Sequence, residues 1–99
     1  MRSEDELREF FEANNDEYRE SEKIPPERRL HRRPDINAFL LLDRLVPGDR
    51  DIVCGAEHDE FFIGIDTEDL AMSDATDDDI LDLIRSGVML GQYGLSMFA

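Results

Sequence analysis

Between residues 57 and 82 the chain carries eleven Asp and Glu side chains and no Lys or Arg. An ionised carboxylate taken out of water without a partner is costly. Any fold must therefore leave this stretch facing solvent or bring cations to it from elsewhere. The cations are concentrated in one place. Residues 23–33, KIPPERRLHRR, hold five basic residues and one acid, whereas residues 1–22 hold nine acids and three bases, and residues 34–99 fifteen and three. The basic segment can pair with an acidic region of its own chain, with a second copy, or with a partner. The net charge is −14 over 99 residues. Such a field repels nucleic acid and anionic membrane and draws basic surfaces.

The length suits one domain, and 40% apolar residues are enough for a modest core. No apolar run approaches the roughly 18 residues that span a bilayer. The opening MRSEDELREFFEANND is acidic and polar, unlike a secretory or transit peptide. With Cys54 the sole cysteine, no intrachain disulfide can form, which fits a reducing cytoplasm.

Ser3 and Glu6 make an S-x-x-E capping box ahead of a stripe of Leu7, Phe10, Phe11 and Tyr18, spaced as one face of a helix over about residues 4–21. That stripe must dock on the rest of the domain or on a second copy, so these four residues are the candidates for self-association in a homodimer. Pro25-Pro26 breaks the helix; Pro26 opens a short turn that Pro34 closes. Asp35 caps the central helix INAFLLLDRLV, with Ile36, Phe39, Leu40, Leu42 and Leu45 as its buried face, and Pro47-Gly48 stops it. DIVCGA and FFIGI around EHDE read as a hairpin, with Phe61, Ile63 and Ile65 on one face and His58 in the loop. Gly55 and Gly64 are expected to face each other or a closely approaching helix. TEDLAMS makes a turn or two of helix. Thr76 caps DDDILDLIRS, which Gly87 ends, and the tail forms a second hairpin around Tyr93-Gly94. The expected fold is α+β, a small antiparallel sheet of two hairpins on about three helices, in the order α-α-β-β-α-β-β. Its parts are an N-terminal amphipathic helix (1–22), a basic Pro-containing connector (23–34) and an α+β core (35–99).

Four readings compete for the acidic stretch. Helix capping explains Asp77, Asp78 and Asp79, which face the positive end of the helix dipole. It does not explain Asp82, four residues after Asp78 and of like charge, nor Asp66, Glu68, Asp69 and Asp74. A calcium loop requires a central glycine and a glutamate at its twelfth position, and DATDDDILDLIR has neither. Cys54, His58 and His31 do not make a zinc shell, and HDE at 58–60 lacks the P-C-x-x-C of zinc deaminases. Neither a metal nor a cofactor is implied. Salt adaptation accords with one lysine, Lys23, against ten arginines and fourteen aspartates, but would spread acids evenly rather than cluster them. The last reading is a partner surface. Carboxylates about 5–6 Å apart along a helix imitate a row of backbone phosphates, and suit a protein with an Arg/Lys channel for DNA or RNA, such as a CRISPR effector complex. The residues assigned to it are Asp66, Glu68, Asp69, Asp74, Asp77, Asp78, Asp79 and Asp82.

No G-x-S-x-G, P-loop or Cys–His–acid arrangement supports an enzyme. The segments NAFLLLDRLVPG, DIVCGAEHDEFFIGID, ATDDDILDLIRSGV and LSMFA, within residues 36–99, resemble small acidic proteins encoded by bacteriophages and prophages. The resemblance implies a context in which acidic proteins, anti-CRISPR proteins among them, occupy nucleic-acid-binding surfaces of the host. It assigns no functional residue. The leading expectation is therefore a non-enzymatic, nucleic-acid-mimicking inhibitor of a basic nucleic-acid-binding protein. The alternative is a dimerising structural or accessory phage protein whose acidity serves solubility.

Overall fold

The computed structural model describes residues 2–57, 59–91 and 94–98. The architecture is α+β: helices α1 (Glu4–Ala13), α2 (Pro34–Leu45), α3 (Thr67–Ala71) and α4 (Asp77–Arg85), with strands β1 (Val53–Glu57), β2 (Glu60–Ile63), β3 (Met89–Gly91) and β4 (Gly94–Phe98). The strands form one antiparallel sheet in the order β1-β2-β4-β3, so both hairpins join through β2 and β4. His58 and Tyr93, assigned to the hairpin turns, lie outside the described residues.

Ser3 and Glu6 form the expected capping box on α1. The helix is shorter than its apolar stripe suggests. Asn14 turns its side-chain amide back onto the Phe10 carbonyl (2.9 Å), a local bond that competes with further helix. A 3₁₀ turn over Asn15–Glu17 then carries Tyr18 back to the core that Leu7 and Phe11 enter. The stripe proposed for self-association is thus covered within one chain: Leu7 and Phe11 are buried, and Phe10 and Tyr18 pack against the same cluster. Nor does α1 stand apart as a separate N-terminal unit, because α3 and β3 receive it.

Pro34 does not close the preceding turn; it is the first residue of α2, where its missing N–H costs nothing. Asp35 therefore sits inside the first turn rather than capping it. The buried side of α2 is Asn37, Ala38, Leu41 and Leu42, and Leu40 is 45% exposed. Apolar residues run unbroken from Ala38 to Leu42 of this helix, so its periodicity left the orientation open. Phe39 meets Phe61 of β2 with ring centres 5.7 Å apart. Ile63 and Ile65 enter the core as expected, and Phe61 is half-buried at its edge.

The two glycines of the first hairpin do not face each other. A side chain at Gly64 would run into the carbonyl of Asp51, whereas Gly55 lies beside the Phe62 ring. A bulge in β1, between Val53 and Gly55, displaces the register there. The last turn of α4 ends as the sequence indicates. Gly87 has φ 102°, its N–H bonds the Ile84 carbonyl (3.0 Å), and the Val88 N–H bonds the Leu83 carbonyl (3.0 Å). This double closure is the Schellman arrangement, and Val88 and Leu83 are both buried beside it.

Candidate partner-binding surface

The eight assigned carboxylates run from Asp66, just before α3, to Asp82 on α4, and the two flanks of α4 treat their carboxylates differently. Thr76 caps α4, accepting from the Asp79 N–H (3.1 Å) while Asp79 accepts from the Thr76 N–H (3.1 Å). At about 100° per residue, Asp77 and Asp79 leave the helix on nearly opposite sides. Asp77 meets Arg2, whose guanidinium also reaches the Ala75 carbonyl and lies 5.4 Å from the Phe10 ring centre. Asp79 and Asp82 both meet Arg28, at 2.9 and 2.8 Å.

Arg28 belongs to the basic segment. That segment is a strap of two 3₁₀ turns, Ser21–Lys23 and Pro26–Arg28, drawn across α4. Several anchors hold it. Ile24 is buried. Arg29 ties off the carbonyl of Ile24 (2.9 Å) and that of Glu22 (3.2 Å), and Arg85 donates to Glu17 and to the Lys23 carbonyl. Buried Asn37 accepts the Leu30 N–H (2.7 Å) and donates to the Ser86 hydroxyl (3.0 Å). Sequence reasoning passed over Asn37, although a lone amide within INAFLLL is itself a signal, since buried polar groups must be bonded.

Asp82 is therefore not part of an exposed row. Its side chain is 5% exposed, under an Arg28 side chain that is 35% exposed. Burial pushes the Asp82 carboxyl above the usual carboxylate range, against the pull of Arg28. The hydrogen bond to Asp82 holds the Arg28 guanidinium more firmly charged. The two partners thus point in opposite directions: the pair favours the cation, but does not fully offset the desolvation of the anion. Asp79, half-buried, is committed to its cap and to Arg28.

Of the eight carboxylates assigned to a partner surface, Asp66, Glu68, Asp69, Asp74 and Asp78 are exposed and form no salt bridge among the described residues. Asp77 is exposed but paired with Arg2. The i, i+4 row of Asp78 and Asp82 is broken, because its second member points under the strap. A patch takes the row's place. The Arg2 N–H bonds the Ala71 carbonyl (2.9 Å), which sets the first turn of α1 beside the end of α3 and the start of α4. Exposed Glu4, Asp5 and Glu6 lie on that first turn, with Glu4 3.9 Å from Arg8. Glu6, Glu9 and Asp77 line one shallow hollow with Arg2 and Phe10. These α1 acids were legible as helix-capping charges, but their position beside α3 and α4 was not. The Glu6 carboxyl is held below its ordinary range by the Ser3 N–H.

Among the described residues, no three His, Cys, Asp or Glu side chains converge as metal ligands, and no helix is long and apolar enough to cross a membrane. No protein-family model matches the chain, and neither a curated protein nor a solved structure matches it.

Proposed function

We propose that this protein is a non-enzymatic inhibitor that binds a basic nucleic-acid-binding protein and keeps DNA or RNA from it. Its contact surface is the patch of Asp66, Glu68, Asp69, Asp74 and Asp78, extended by Glu4 and Asp5 of α1. A CRISPR effector complex, with its cationic heteroduplex channel, is one partner of the required kind. The observation that carries this reading is the unequal treatment of the acids. Arg28 holds Asp79 and Asp82, yet five carboxylates of the same stretch have no cation among the described residues. Glu68, Asp69 and Asp78 stand on helical main chain and Asp66 and Asp74 on the turns beside it, so docking an arginine onto them orders no further backbone. Asp79 and Asp82 are excluded from the surface, since a partner would have to displace Arg28 to reach them.

The test is capture from a bacterial lysate at low salt, followed by competition. The captured proteins should be nucleic-acid-binding, and added duplex DNA should release them. Raised salt should also weaken capture, because exposed pairs are screened. The double variant Asp74→Lys/Asp78→Lys should fold normally and capture none of them. Retention by that variant, or indifference to added DNA, would sink the proposal.

A further inference from the structure

A second hollow, about 440 Å³, opens where the strap, the start of α2 and the end of α4 meet. Its charge is unlike that of the rest of the molecule. Three of the eleven basic residues, Arg19, Arg33 and Arg85, line it, and Phe61 and Met97 supply apolar wall. Arg33 is paired with Asp35 (3.1 Å), which also lines the hollow, and Arg85 with Glu17 (3.2 Å). Arg19 has no carboxylate partner among the described residues; its guanidinium carbon lies 6.0 Å from the Tyr18 ring centre.

Arg19 is also the one described non-glycine residue with a positive φ, at 64°. A branched or long side chain at that φ strains the backbone, which glycine or asparagine would relieve. The strained position is locked by the Arg19 N–H, which bonds the Ile84 carbonyl (3.1 Å) at the end of α4. The lock also lays the side chain against Gly87, whose missing Cβ would stand 3.8 Å from the Arg19 Cγ. An unpaired guanidinium kept at a conformational cost, beside two others, marks a place where charge is needed for something besides folding.

We infer that this hollow binds a small phosphate monoester carrying a planar apolar body, of the nucleoside monophosphate class. Arg19 and Arg33 hold the phosphate, because guanidinium forks match its oxygens two at a time. Phe61 and the exposed Phe98 of the same lining receive the ring. The volume lies in the range of small-molecule sites, about 300–1,000 Å³. The −14 charge of the chain repels a long polyanion more than a compact one. This inference concerns a different set of residues from the acidic patch and stands or falls independently of it.

The experiment is an amide NMR titration of the full chain with adenosine monophosphate, inorganic phosphate, adenosine and a short single-stranded oligonucleotide. Adenosine monophosphate should give saturable shifts at Ser86, Gly87 and Met97, with inorganic phosphate and adenosine roughly tenfold weaker or worse. The variant Arg19→Gly should melt at the same temperature as the parent or higher, while its affinity for adenosine monophosphate falls by roughly tenfold or more. If Arg19→Gly proves destabilised, Arg33→Ala, at a side chain 62% exposed, carries the same test. Absence of saturation in the millimolar range, or undiminished binding by both variants, overturns the inference. Equal affinity for inorganic phosphate overturns the role of the apolar wall, and tighter binding of the oligonucleotide overturns the small-ligand assignment.

Discussion

The acidic patch and the strapped flank of α4 are built from the same residue type, a few positions apart, and behave as opposites. At the patch, Asp66, Glu68, Asp69, Asp74 and Asp78 face solvent and have no cation among the described residues. Each is worth little to the fold, since exposed charges contribute within about 0.5 kcal/mol of nothing. Under the strap, Asp79 and Asp82 are each bound to a specific guanidinium nitrogen, and one of them is almost wholly removed from water. The contrast teaches that an acidic run does not define a surface. What decides is which carboxylates the rest of the chain reaches, and here a segment some fifty residues upstream reaches two of them.

The sharpest way to break this comparison is Arg28→Ala. It leaves Asp82 buried without a partner, and should cost about 2–4 kcal/mol in a urea unfolding experiment. That is somewhat below the full range for a broken buried pair, because water can enter where the half-exposed guanidinium was. Asp78→Ala, on the exposed flank, should change stability by no more than about 0.5 kcal/mol. Equal effects of the two would mean that the flanks do not differ.

A smaller effect is expected at the cap between them. Thr76→Ala removes the hydroxyl that satisfies the Asp79 N–H and should destabilise by about 1 kcal/mol. Thr76→Ser should retain most of that, measured as the shift in thermal midpoint.

The smallest effect is one of pH. Glu6 and Glu17 have lowered carboxyl pKa values, Glu6 from the Ser3 N–H and Glu17 from the Arg85 hydrogen bond. Their stabilisation is fully present above the ordinary carboxylate range, near pH 4.5, and is lost as pH falls through their folded values. Asp82 has the opposite sign. Its raised pKa means that ionisation opposes folding, so acidification relieves it. Asp82→Asn removes that relief. The variant should therefore lose stability more steeply than the parent as pH falls towards 3.8, the ordinary Asp value, by denaturant midpoints across pH. A shallower acid slope in the variant would reverse the sign assigned to Asp82.

Much of the fold could be read directly. The Ser3 capping box, the Thr76 cap, Gly87 at the end of α4, both hairpins and the α+β class all depend on bonds or patterns spanning a few residues. Where reading failed, a pattern was ambiguous or an end was shifted. The apolar surplus of α2 hid which side faces inward, and the spacing of Tyr18 imitated a helix that stops at Ala13. The candidate surface was half legible. Its exposed acids were identified, but three of the eight, Asp77, Asp79 and Asp82, are paired with arginines of the same chain, and the neighbouring α1 acids were missed.

What the chain's own order of residues determined is therefore what near neighbours close: the caps that start α1 and α4, the glycine that stops α4, which segments are strands, and that an acid-rich stretch lacks internal cations. Only the tertiary structure decided that Arg28 crosses to Asp82, that Arg2 draws α1 beside Asp77, and that three arginines share one hollow. The physical reason is range. A cap is a hydrogen bond between residues three apart, whatever surrounds it, whereas a salt bridge between residues 28 and 82 forms only after the core has packed the strap onto α4.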